Sequence, residues 1–169
     1  MEEGLVTLPL NFIDGHLFAR VDGADWLLDT GAPASFGALS GLKIGGQSFE
    51  IADSYMGLNP ATLSEYVGHP TAGIIGADVL GTFDTLFDVP GGTVSFSVEP
   101  MEMAGEEIET RLFMGIPTVE VAIAGANSRS AIVFPSVLIT TSRTGRSLPA
   151  ICRASRTALS MPVQQGTSM

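Results

Sequence analysis

Short apolar runs alternate with turn dipeptides in the first part of the chain. The runs have strand length and are separated by Asp14-Gly15 and Asp22-Gly23; they cover residues 6–12, 16–21 and 26–28. Asp-Gly pairs between apolar runs are typical of two-residue hairpin turns. The pattern therefore predicts three consecutive strands, the last ending just before Asp29.

Further along, the same reasoning predicts two more hairpins and little helix. Residues 42–44 and 48–52 flank Gly45-Gly46, and residues 83–88 and 93–98 flank Pro90-Gly91-Gly92. Residues 53–72 carry two X-Pro pairs and are expected to be loop, with a helical turn near residues 61–66. A short helix is expected at residues 78–81. The chain is thus predicted to be mostly β.

One carboxylate stands out against this pattern. Asp29 follows the apolar run Trp26-Leu27-Leu28 directly and precedes Thr30-Gly31-Ala32. A charged group at the end of a buried strand costs free energy when it is unpaired, so its presence indicates chemistry. The alternative is an acid that accepts backbone N–H bonds in its own turn.

Two segments together resemble a known family. Asp29-Thr30-Gly31-Ala32 resembles the catalytic loop of aspartic proteases of the pepsin and retropepsin type, and Ile74-Ile75-Gly76 resembles the family's hydrophobic-hydrophobic-Gly segment. The resemblance covers residues 4–98, about one retropepsin subunit or one pepsin lobe. It implies a closed, β-barrel-like lobe with one short helix.

The family's chemistry needs two aspartates. They face each other and share one proton, because two adjacent like charges do not both ionise cheaply. By resemblance, Asp29 would be the acid-base group, Thr30 would bond across to its counterpart, Gly31 would permit close backbone approach and Ala32 would leave space. The second aspartate would come from another lobe or from a homodimer joined through the Asp29 loops, as in retropepsins.

The chain departs from the family pattern at the flap, the hairpin that covers the cleft. Too few residues separate Ala32 from Leu42 to form it, so residues 43–49 are either a short flap or a core hairpin, the latter being favoured. Tyr55 is either the aromatic that some family members place near the cleft or an ordinary half-buried loop tyrosine, the latter being favoured. The sequence thus leaves open an aspartic endopeptidase, a catalytically inactive binding or structural module, and one domain of a larger two-lobed protease.

The second half of the chain has a different character. Residues 99–111 are rich in glutamate and predict an acidic linker. Residues 112–134 resemble the opening of the first lobe, but Phe134-Pro135-Ser136 stands where Asp29-Thr30-Gly31 would be expected. All 18 acidic residues precede position 121, whereas five of the eight basic residues follow it. Residues 135–169 are therefore interpreted as a tail that is either non-native, from a frameshift, or basic and flexible.

Composition limits the kinds of partner and cofactor that we expect for this chain. A net charge of −10 argues against nucleic acid, which favours basic surfaces. Cys152 is the single cysteine, so no internal disulfide can form, and no Cys/His spacing suggests a metal. We expect no cofactor, no membrane segment and a peptide or protein substrate. Without a signal-peptide pattern, a cytoplasmic location is expected, although a fragment of an exported precursor would have the same sequence.

Overall fold

A computed structural model describes residues 4–102, 110–113, 116–121 and 131–133. The described chain is mostly β, with twelve strands and two helices. In chain order these are β1 (Leu5–Ile13), β2 (His16–Val21), β3 (Ala24–Leu28), β4 (Phe36–Gly37), β5 (Gly41–Ile44), β6 (Gln47–Glu50), α1 (Pro60–Val67), β7 (Gly73–Ile75), α2 (Ala77–Leu80), β8 (Asp84–Asp88), β9 (Thr93–Ser97), β10 (Thr110–Phe113), β11 (Ile116–Val121) and β12 (Ala131–Val133).

The first three strands form the predicted meander. β1, β2 and β3 pair antiparallel, with Ile13 opposite His16 and Val21 opposite Ala24. Both connecting turns have positive φ at each central residue: 49° and 86° at Asp14-Gly15, and 48° and 81° at Asp22-Gly23. Such turns match the twist of the flanking strands, which explains why Asp-Gly pairs stand there.

β1 belongs to two sets of strands at once. Residues Leu5 to Pro9 pair with β9, and residues Leu10 to Ile13 pair with β2. The seven-stranded sheet therefore has the order β4-β7-β3-β2-β1-β9-β8. Pro9, which lacks an N–H, lies at the point where the pairing changes.

The larger of two hydrophobic cores, the first core, lies between the β3-β2 side and the β9-β8 side of this sheet. The first core combines side chains of β2, β3 and β7 with side chains of β8, β9 and the β5–β6 hairpin; it includes Leu17, Val21, Trp26, Leu28, Leu42, Ile44, Ile75, Phe87, Val94 and Phe96. Alternate residues of β2, β3 and β7 point to the opposite face. The strands that lead to Asp29 are therefore buried on both sides.

The opposite face is covered by α1. The second core contains Phe18, Leu27, Phe36 and Ile74 from the sheet and Leu63 and Val67 from α1. Asn59 begins the helix by accepting the N–H of Thr62 at 3.0 Å, and Gly68, with φ of 67°, ends it. This helix extends over Pro60–Val67, so it is longer than the predicted helical turn.

Two expectations about the lobe need correction. The sheet is open in the described part of the chain, since β4 and β8 are its edges and do not pair with each other. Closure would require paired edges of comparable length, and β4 has two residues. The described chain also has two helices rather than one, because the α1 segment carries a proper cap and an apolar face.

The second half contributes a three-stranded sheet in the order β10-β11-β12. Its neighbours are antiparallel, like β1 to β3. β10 begins at Thr110, inside the predicted linker 99–111, and residues 103–109 of that linker lie outside the described residues. The same holds for residues 135–169, so the division at 112–134 and the nature of the tail stay predictions.

Candidate active site

Two parallel strands bring the candidate residues to one edge of the sheet. β3 and β7 pair in parallel, with Leu27 opposite Ile74 and Leu28 opposite Ile75. The N–H of Asp29 continues this ladder by donating to the carbonyl of Ile75 at 3.1 Å. Because parallel strands end at the same edge, the Asp29 loop and Gly76 are adjacent, as the resemblance implies.

The Asp29 carboxylate is held by its own turn. Its Oδ1 accepts the N–H of Gly31 at 2.8 Å, and its main-chain carbonyl accepts the N–H of Ala32 at 3.2 Å. The side chain is half-buried. One oxygen is thus oriented by the turn while the side chain stays half-exposed, so the turn role and a catalytic role are compatible.

The residues after Asp29 anchor the loop. Thr30 is buried, with 8% of its surface exposed. Ala32 packs against the second core, which fixes the loop to the face covered by α1. Gly31 supplies the N–H that orients the Asp29 carboxylate. The contacts of Gly31 and Ala32 therefore help to hold the loop, and the predicted bond from Thr30 to a counterpart stays a prediction.

Gly76 lies in direct contact with this loop. The N–H of Ala77 donates to the carbonyl of Ala32 at 2.7 Å. A Cβ added at Gly76 would stand 2.7 Å from the same carbonyl oxygen and 3.0 Å from the carbonyl carbon of Ala34. A side chain cannot fit there without displacing backbone, which is why this position needs glycine.

Ser35 and Asp78 form a clamp between the loop and α2, and sequence reasoning did not find it. The hydroxyl of Ser35 donates to Asp78 Oδ1 at 2.6 Å, and its N–H donates to Oδ2 at 2.9 Å. The same hydroxyl accepts the N–H of Gly76 at 2.8 Å. Asp78 lies in the first turn of α2, whose N-cap is Gly76, and its Oδ1 also accepts the Val79 N–H at 2.9 Å. A serine six residues after Asp29 gave no separate signal.

The β5–β6 hairpin lies against the first core. Leu42 and Ile44 are buried there, and a Cβ at Gly45 would be 3.5 Å from side-chain atoms of both Val6 and Phe83. This agrees with a core hairpin and not with a flap. Tyr55 is half-buried and packs on the second core, to which Ala32 also belongs.

A second charged group was also missed from sequence. Asp25 accepts from the Arg20 guanidinium at 3.1 Å and bonds His69 Nε2 at 2.9 Å. His69 also packs on Phe18, with ring centroids 4.8 Å apart. The group connects the segment before β7 to the β2–β3 hairpin, which helps to set the position of β7. His69 lies 44 positions from Asp25 in sequence, so their contact gives no local signal.

The described residues contain no group of three or more His, Cys, Asp or Glu side chains arranged to hold a metal ion. They also contain no helix with the length and apolar character needed to span a membrane. Comparison with protein-family models, curated proteins and solved structures finds no match to this chain. We therefore infer function from the geometry around Asp29.

Proposed function

We propose that this protein is an aspartic-type endopeptidase, with Asp29 as its acid-base group and a retropepsin-like lobe as its fold. The observation that carries the proposal is the state of the Asp29 carboxylate. It ends a strand buried on both faces, yet the side chain is half-exposed, and Oδ1 is oriented by the Gly31 N–H. This is the arrangement expected of a carboxylate that acts on a water or a substrate.

The reaction requires a second carboxylate opposite Asp29. An ionised member takes a proton from the attacking water, and a protonated member hydrogen-bonds the scissile carbonyl oxygen as the carbon becomes tetrahedral. Asp29 alone cannot do both at once. Phe134-Pro135-Ser136 supplies no acid in the second half. We infer that a second copy of the chain supplies it, the alternative being a lobe from elsewhere.

The main rival is a catalytically inactive module. The position of the β5–β6 hairpin favours it, because a hairpin packed in the first core cannot close over a peptide. In that case the Asp29 carboxylate would serve its own turn through the Gly31 N–H. The protein would bind a partner, or stabilise one, without hydrolysing it.

Cleavage of an unstructured protein between pH 3 and 7, with and without a pepstatin-like inhibitor, separates the two. We expect inhibitor-sensitive cleavage that falls at least about 10²-fold in Asp29→Asn, since that change removes a proton donor and acceptor of the dyad. Asp22→Asn is the matched control, because it makes the same change in the exposed turn before β3. Full activity in Asp29→Asn contradicts the proposal, and a folded, inactive wild-type chain favours the module.

A further inference from the structure

We propose that Asp78 is a positioning residue for Asp29 and acts through Ser35. This inference rests on the proposed function, because it concerns the geometry that the Asp29 loop needs for catalysis. Asp78 does not reach Asp29 through any hydrogen bond in the described structure. It holds Ser35, at the end of the loop that begins at Asp29, and it would influence the position of Asp29 through the backbone between them.

The contacts of Ser35 connect three segments at one point. Its hydroxyl donates to Asp78 on α2 and accepts the N–H of Gly76 at the end of β7. Its own N–H, in the segment between Asp29 and β4, donates to the second oxygen of Asp78. Ser35 is 5% exposed, so little water competes for these bonds. The loop therefore has one preferred position relative to β7.

A purely local capping role does not account for Asp78. Its bond from the Val79 N–H belongs to the helix itself, but its two other bonds come from Ser35, which lies 43 positions away in sequence. The hydroxyl contact of 2.6 Å is short, as is typical of an O–H donor on a carboxylate. Both oxygens of Asp78 are committed to fixing the loop.

Hydrogen bonds hold the loop at both ends. At the start, Asp29 donates its N–H to Ile75; at the end, Ser35 is held by Asp78 and Gly76. Between them Ala32 accepts the N–H of Ala77. If Asp78 is removed, the end of the loop loses two of its bonds. The Gly31 N–H and the Asp29 carboxylate are then free to change their relative orientation.

The test measures kcat and KM in Asp78→Ala, Asp78→Asn and Ser35→Ala, together with hydrogen exchange of the Gly31 amide. Asp78 is exposed, so Asp78→Ala leaves no buried cavity. We expect kcat to fall roughly 10²-fold in Asp78→Ala, as for other small misplacements of catalytic groups. KM should stay within about threefold, since substrate contacts are not removed. Asp78→Asn keeps one acceptor oxygen and should recover part of kcat.

Asp88→Ala is the matched control. Asp88 also accepts a backbone N–H, that of Gly91 at 2.9 Å, but in the β8–β9 turn. We expect its kcat and its Gly31 exchange to equal those of wild type, and Gly31 exchange to quicken in Asp78→Ala and Ser35→Ala. Unchanged kcat and Gly31 exchange in both of these variants overturns the inference. An inactive wild-type chain overturns the proposed function instead, and the Gly31 amide then still decides whether Asp78 positions the loop.

Discussion

At position 76 the space for a side chain is taken by the loop that carries Asp29. The carbonyl oxygen of Ala32 would lie 2.7 Å from an added Cβ. The same carbonyl accepts the N–H of Ala77, so it cannot move away without breaking that bond. Gly76 is thus the residue through which β7 and the Asp29 loop approach each other.

We predict that Gly76→Ala lowers the free energy of unfolding by about 1–3 kcal/mol, the usual cost of overpacking. Urea denaturation monitored by the fluorescence of Trp26 measures it. Gly41→Ala is the control, because the nearest atom to its added Cβ is the Phe49 carbonyl oxygen at an ordinary 3.7 Å. Equal stability of the two variants would show that the Ala32 carbonyl does not exclude a Cβ at position 76.

At the scale of elements, the support for the loop comes from α1 as well as from the sheet. α1 covers the face on which Phe18, Leu27 and Ile74 lie, and Ala32 packs against the same cluster. Without this cover the β3–β7 pair would expose an apolar face. The helix is therefore part of what holds the candidate site in place.

Leu63→Ala tests this role of α1. Leu63 is 5% exposed, and we expect its truncation to cost about 2–5 kcal/mol of unfolding free energy, as for other buried leucines. Tyr66 on the same helix is 73% exposed, so Tyr66→Ala should change stability by less than about 0.5 kcal/mol. Thermal or urea unfolding of both variants gives the comparison. A small loss in Leu63→Ala would mean that α1 is not packed on the sheet.

The sequence predicted those strands and hairpins that are bounded by recognisable turn residues. The Asp-Gly turns located β1 to β3, and the Gly45-Gly46 and Pro90-Gly91-Gly92 turns located two hairpins. β4 was missed because a strand of two residues shows no alternation of apolar and polar positions. The open sheet was missed because barrel closure depends on pairing between edge strands that are distant in sequence. The contact between the Asp29 loop and Gly76 was predicted from their two motifs. Ser35 was not found because its contact with Asp78 exists only in three dimensions.

At the scale of the whole molecule, one chain carries one Asp29. The resemblance to retropepsins supplies the expectation that two copies join their Asp29 loops, and by the same resemblance Phe134-Pro135-Ser136 would stand where a second lobe carries its acid. A two-fold axis through the site would place each Asp29 opposite its twin. Under the proposed function, activity would belong to the dimer and not to the single chain.

Mixing subunits tests this claim most directly. A fixed amount of wild-type chain is equilibrated with increasing amounts of Asp29→Asn chain, and peptide cleavage is measured. If the dyad is built from two copies, mixed dimers carry one acid, so activity per wild-type chain falls in proportion to the wild-type fraction. Activity that stays constant as the variant is added would contradict a site made from two copies of Asp29.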